Sequence, residues 1–337
     1  MPPIKIALLG TGIFAREAHV PALKALSDLF EIAAVYSRRA ENAAALAAEL
    51  PGSPAVYTEL DALLQRPDIE AVDVVLAIAV QPGVVEAALR AGKHVISEKP
   101  MAPDVATGRR LLETADRLTA ENGRVWMVAE NWRYEEAFRA AAQAVHGGQL
   151  GRPLQFSWTI SNALTPEISY YNTAWRRDNS FPGGFLLDGG VHNIAAMRRV
   201  MGEVESVSAY VAQVRPDLPP ADTLSANLRF ESGAFGTFAR TFAAGSGWTS
   251  RMRVTGDRGA LQVDSGLLEL SVGGTTSSQA FGGDAIRAEL ADFGRTLREG
   301  GAVVDGSPRQ ALQDVAIIEA MLLSARTGAS VRPERVV

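Results

Sequence analysis

The hexapeptide Gly10-Thr11-Gly12-Ile13-Phe14-Ala15 follows the short apolar run Ile4 to Leu9 and opens an amphipathic segment. No other feature constrains the fold as much, because a glycine turn between a strand and a helix is the start of a βαβ unit. Gly10 permits the tight turn, and Gly12 lets the backbone approach a pyrophosphate. Small Ala15 lets the helix pack close, so that its first N–H groups face an anion. Thr11, Ile13 and Phe14 complete the candidate dinucleotide loop. The competing reading is a structural glycine turn, and the strand before and helix after favour the nucleotide.

The pattern then repeats. Strands are predicted at Ile4 to Leu9, Ile32 to Tyr36, Val72 to Ala79, His94 to Ser97 and Val125 to Ala129. Helices are predicted between them at Phe14 to Asp28, Glu41 to Leu50, Thr58 to Gln65, Gly83 to Ala91 and Pro103 to Glu121. Continuous apolar strands alternating with amphipathic helices imply a doubly wound parallel sheet, here a Rossmann domain over residues 1–125. Beyond it the rhythm changes to strands joined by tight turns, as at Glu231-Ser232-Gly233-Ala234 and Gly256-Asp257-Arg258-Gly259. Residues 126–337 therefore read as an α+β domain with a large, mostly antiparallel, open-faced sheet. Asp284 to Arg298 and Arg309 to Thr327 return to helical spacing and are expected to cover its buried face.

A length of 337 residues suits about two domains. Hydrophobic residues at 47% and charged residues at 21% exclude a disordered chain. The net charge of -5 lacks the basic excess that nucleic acid or an anionic membrane surface would reward. With no cysteine, disulfides, thiolate catalysis and cysteine-ligated zinc are excluded. The first apolar run is too brief for a signal-peptide core, and the stretch Val74 to Val85 falls short of the roughly 20 residues a membrane span needs. A cytoplasmic protein is expected.

After the second strand the chain reads Ser37-Arg38-Arg39, where an NAD-specific site would place a carboxylate. A guanidinium there can pair with a 2′-phosphate, which favours NADP over the alternative NAD. The plainer reading of these arginines is a solvated helix start.

Glu98-Lys99-Pro100 ends a predicted buried strand at the carboxyl edge of the sheet, where open α/β folds bind ligands. A lysine there can relay a proton or orient a hydroxyl, although a lysine before proline is otherwise a common solvated turn residue. Asp188 and His192 stand four apart in a segment, Gly184 to Val200, with helical apolar spacing, so their side chains share a face. They suit either acid/base work on one substrate or a helix-surface ion pair. Aromatic and arginine residues crowd Trp132, Arg133, Tyr134, Tyr170, Tyr171, Trp175 and Arg176. Rings with hydrogen-bonding edges suit a sugar or polyol, and equally suit core packing.

Taken in order, these motifs resemble the glucose-fructose oxidoreductase, inositol dehydrogenase and rhizopine-catabolism (Gfo/Idh/MocA) family. The likeness runs from Gly10 to Ala15 through Ala91-Gly92-Lys93-His94-Val95, Glu98-Lys99-Pro100, Asn131-Trp132-Arg133-Tyr134 and Trp175-Arg176. It continues through Gly183 to His192 and ends at Ser324-Ala325-Arg326-Thr327-Gly328. The resemblance implies an NAD(P)-dependent oxidoreductase with His192 as acid/base, Asp188 as its partner and Lys99 as third member. It also implies a turn before Pro100 that is often cis, and Glu98 and Lys99 beside the cofactor. Tyr171 and Arg176 are the expected substrate contacts, for a sugar, polyol or cyclic diol.

Where relatives carry a proline, an asparagine and then a histidine after the fourth strand, this chain reads Ala79-Val80-Gln81-Pro82-Gly83-Val84-Val85, without that histidine. A metal site is disfavoured because no second histidine stands at helical spacing to His192. His19 reads as a structural residue of the first helix. Two other readings compete with hydride transfer: a glycosidase using the nicotinamide for transient oxidation, and a non-catalytic dinucleotide sensor. The family builds oligomers on the open sheet face, so a homodimer is expected.

Overall fold

The computed structural model describes residues 1–177 and 181–337, which divide into two compact units. The first comprises Met1–Asn131 with Ile286–Leu312, and the second Trp132–Ala285 with Gln313–Val337.

In the first unit, β1 (Ile4–Leu9), β2 (Phe30–Tyr36), β3 (Ala55–Tyr57), β4 (Ala71–Val74), β5 (His94–Glu98) and β6 (Trp126–Ala129) form a parallel sheet ordered 3-2-1-4-5-6. That order reverses between β1 and β4, the switch point where such sheets bind ligands. Helices α1 (Val20–Ala25), α2 (Ala40–Ala48), α3 (Leu60–Leu64), α4 (Gln81–Arg90) and α5 (Val105–Asn122) connect the strands. Every residue of β4 is buried, as in a sheet covered on both faces. α5 starts where Asp104 accepts a hydrogen bond from the Thr107 N–H at 2.7 Å, and ends on Gly123 at φ 68°.

Two predicted elements differ. The run Val72 to Ala79 leaves the sheet after Val74, because an apolar stretch does not distinguish a buried strand from the buried loop that follows it. The helix predicted over Phe14 to Asp28 is a single π-turn, Ala15–His19, running into α1. Such widened turns gather at functional sites, and this one ends on fully buried His19.

The second unit holds an eight-stranded sheet, ordered β14-β13-β12-β11-β7-β10-β9-β8. Its strands are β7 (Pro153–Ala163), β8 (Val204–Ala212), β9 (Thr223–Phe230), β10 (Phe235–Thr241), β11 (Ala243–Gly256), β12 (Gly259–Asp264), β13 (Leu267–Val272) and β14 (Thr275–Ala280). All pairs are antiparallel except β7 with β10. β9 alternates buried and exposed residues, the signature of a sheet with one covered face. The helices of this unit are α6 (Glu136–His146), α7 (Ala174–Arg177), α8 (Gly184–Asp188) and α9 (Gly190–Met201); later in the chain come α10 (Ala285–Glu299) and α11 (Pro308–Thr327).

The helix predicted over Asp284 to Arg298 forms as α10, but it belongs to the first unit rather than covering the second sheet. Phe293 stacks on Phe30 at 6.3 Å, and a side chain at Gly294 would strike Leu29 and Phe30. Among the described residues no helix is long and apolar enough to cross a membrane.

Candidate functional site

The glycine loop sits at the switch point. Gly10 has φ 125°, and a Cβ there would collide with the Val75 carbonyl at the end of β4, so only glycine closes this turn. A Cβ on Gly12 would meet nothing within 4 Å. This open backbone suits close approach of a pyrophosphate, as the sequence reading requires. Thr11, Ile13 and Phe14 follow around the same turn. Gly10 N–H donates to the Tyr36 carbonyl at 3.0 Å, tying the loop to the end of β2, where Ser37 and exposed Arg38 and Arg39 follow. Ser37 Oγ accepts from Arg39 N–H at 3.3 Å.

Lys99 lies just past β5 and its bond to Pro100 is cis. The carbonyls on either side of Lys99, those of Glu98 and Pro100, both accept from buried Gln81 Nε2, the latter at 3.1 Å. Gln81 belongs to the stretch that departs from the family pattern. Its amide clamps the main chain around the lysine, a role the sequence reading did not find.

The Glu98 side chain is held from the other direction. His19 Nε2 lies 2.9 Å from Glu98 Oε1, and its Nδ1 lies 2.8 Å from Asp73 Oδ2. A neutral imidazole has one N–H, so satisfying both carboxylates takes the imidazolium. Burial opposes the charge, but Asp73 and then Glu98 outweigh it and hold the histidine pKa well above its usual value. Glu289 of α10 is also fully buried, and among the described residues neither carboxyl oxygen has a hydrogen-bond donor. Burial first, then the nearby charge of Glu98, raises its pKa well above the ordinary carboxylate value. Glu98 is thus 6% exposed and engaged with His19, a structural duty beyond the cofactor contact expected of it.

In the second unit, the expected helix over Gly184 to Val200 forms as α8 and α9, which meet at Gly189. Arg176 Nε donates to Asp188 Oδ2 at 2.7 Å, so two of the candidate residues meet directly. His192 stacks on Trp132 with ring centroids 5.5 Å apart and planes 19° apart. Trp132 in turn stacks on Phe138 at 5.6 Å, which fixes the platform under the imidazole. The Asp188 carboxylate therefore has an arginine partner that the sequence reading assigned to substrate.

The other crowded residues separate into packing roles. Tyr171 is 9% exposed and donates its hydroxyl to Asp217 at 2.8 Å, which ties it into the scaffold rather than leaving that hydroxyl for substrate. Arg133 donates to Asp314 Oδ2 at 2.6 Å, while Arg198 donates to Asp314 Oδ1 at 2.6 Å, making a buried ion triad. Tyr134 lies under the Arg139 guanidinium at 4.6 Å. Among the described residues, no group of three or more His, Asp or Glu side chains is arranged to hold a metal ion.

Residues 4–128 match the oxidoreductase family with NAD-binding Rossmann fold, and residues 138–262 match the GFO/IDH/MocA C-terminal domain. Dehydrogenase FPY6 of Fusarium mangiferae is 34% identical over 350 residues, 98% of each chain. The dTDP-3,4-didehydro-2,6-dideoxy-alpha-D-glucose 3-reductase of Streptomyces violaceoruber is 34% identical over 266 residues, covering 77% of this chain and 72% of that one. A solved oxidoreductase from Thermotoga maritima has TM-score 0.91 at 36% identity, over 98% of each chain. The glycine cradle, the Lys99-Pro100 turn and these likenesses agree: the chain belongs to the GFO/IDH/MocA family of NAD-binding oxidoreductases.

Proposed function

We propose that this oxidoreductase prefers NADP and moves a hydride between the nicotinamide and a secondary alcohol or hemiacetal carbon of a sugar, polyol or cyclic diol. The observation that carries the reading is the clamped Lys99 turn at the carboxyl edge of a sheet whose switch point holds the Gly10–Gly12 cradle. The keto-sugar named for the Streptomyces reductase supports the substrate class.

When bound, the nicotinamide supplies the hydride acceptor or donor. Gly10 to Phe14 would hold the pyrophosphate, while Ser37, Arg38 and Arg39 would take the ribose and its 2′-phosphate. His192, steadied by Trp132, takes the proton of the reacting hydroxyl as the carbon is oxidised and returns it in reduction. Asp188, oriented by Arg176, supports the imidazolium or an adjacent hydroxyl. Lys99 donates to the reacting oxygen from its fixed turn.

The test follows the reduced-nicotinamide absorbance while aldoses, polyols, ketoses and cyclic diols are offered with NADP or NAD, in both directions. Turnover is expected with NADP favoured, and Arg38→Ala should weaken NADP by about tenfold or more while sparing NAD. Equal affinity for the two cofactors would remove the Arg38 assignment. Silence across the panel with cofactor bound would favour the redox-neutral glycosidase.

The same proposal includes a homodimer through the open sheet face, where Tyr210 and Phe235 stand 82% and 59% exposed. Light scattering is expected to give twice the chain mass; a monomer at working concentration removes the dimer.

A further inference from the structure

Arg240 of β10 is 6% exposed, yet among the described residues its Nε and Nη1 have no hydrogen-bond partner. An arginine cannot escape this by losing its proton under ordinary conditions. Burial alone pushes its pKa down to about 9, with no carboxylate offsetting it. Every other strongly buried arginine discussed above has an acid: Arg133 and Arg198 share Asp314. A buried cation left without an anion is destabilising, and a bound anion would offset that cost.

The surroundings say what kind of anion fits. Arg240 lies opposite Ile160 of β7, so the two side chains share the inner face of the sheet. Two residues on, Asn162 lies on that same face, opposite Trp248 of β11, and its Oδ1 is buried without a donor. The guanidinium stacks on Phe242 at 4.2 Å and lies 5.9 Å from the Trp248 ring, which is itself 49% exposed. Arg240 Nη2 is 3.5 Å from where a Cβ on Gly189 would stand, one helical turn before His192. An indole face, an amide oxygen seeking a hydroxyl and one unpaired guanidinium make a kit for a sugar ring bearing a single negative group.

From this arrangement we propose that Arg240 binds the carboxylate of a sugar acid, so that uronic or aldonic acids are preferred as substrates over neutral sugars and polyols. The inference rests on the dehydrogenase reading and narrows its substrate class. A single guanidinium matches a monoanion, and the ring of such an acid lies on Trp248 with a hydroxyl donating to Asn162.

Titration calorimetry at fixed ionic strength tests it, with D-glucuronate and D-gluconate against D-glucose and D-sorbitol. The acids are expected to bind about ten- to a hundredfold tighter than their neutral counterparts, from charge-assisted hydrogen bonds. Arg240→Met should abolish that preference while leaving the unliganded protein at least as stable, since it removes an uncompensated buried cation. Arg240→Lys should keep part of it, and decides the matter with the wild type if the methionine variant does not fold. Equal binding of acid and neutral sugars, no binding of either, or a preference that survives in Arg240→Met each overturns the proposal. A parallel cofactor-reduction assay separates the two readings. Acids that bind but are never oxidised count against the dehydrogenase and not against Arg240; oxidation of neutral members alone does the reverse.

Discussion

Replacing His19 by alanine is expected to cost about 3–5 kcal/mol of stability near neutral pH, because it leaves Asp73 and Glu98 buried without their shared cation. The pH dependence separates this from simple cavity formation. The folded-state pKa of His19 is raised, so its contribution is complete below the unfolded value of about 6.5 and is lost as pH rises through the folded one. Urea unfolding of wild type and His19→Ala should therefore show a gap that is widest at about pH 6 and narrows toward alkaline pH. A gap independent of pH would reduce His19 to a packing residue.

Glu289 acts on stability in the same direction. Its carboxyl titrates at higher pH in the fold than in the unfolded chain, so it costs stability increasingly as pH rises above its ordinary value. Glu289→Gln should flatten that part of the pH profile and stabilise the protein under alkaline conditions. Both groups bear on function through Glu98, whose carbonyl and side chain are held while Lys99 follows it in sequence.

What could be seen in the sequence was what repeats. β1 lies where the apolar spacing placed it, and β9 ends at the tight turn Glu231-Ser232-Gly233-Ala234, since strand periodicity is set by burial that recurs along the chain. The glycine cradle was legible because its residue types are forced by backbone conformation, as at Gly10. The ion pairs were not. His19 meets Asp73 across 54 positions and Glu98 across 79, and nothing local in the sequence marks such a pairing. Arg176 looked like a substrate contact because arginine near aromatics reads the same whether its carboxylate belongs to a ligand or to Asp188. Gln81 was visible only as a departure from a pattern, and its clamp on two carbonyls needed the fold. Arg240 gave no signal, since an unpaired charge is defined by what does not surround it.

Lys99→Met and His192→Ala carry the largest expected loss of activity, each lowering kcat by about two to four orders of magnitude. The methionine keeps the length of the lysine side chain without its charge, and the turn it occupies is secured by main-chain carbonyls and Gln81, which the substitution leaves in place. Cofactor binding and the unfolding transition should therefore change little while turnover collapses. His192 is half-buried and packs by one ring face on Trp132, so its removal should cost only about 1 kcal/mol of stability. The effects should fall on kcat more than on KM, because proton transfer is made in the transition state and not in the ground-state complex. Arg176→Met supplies the contrast: it removes the arginine from Asp188 while Lys99 and His192 stay in place, so it should raise KM more than it lowers kcat. Full activity in both Lys99→Met and His192→Ala would refute the catalytic assignment while leaving the family and its dinucleotide cradle intact.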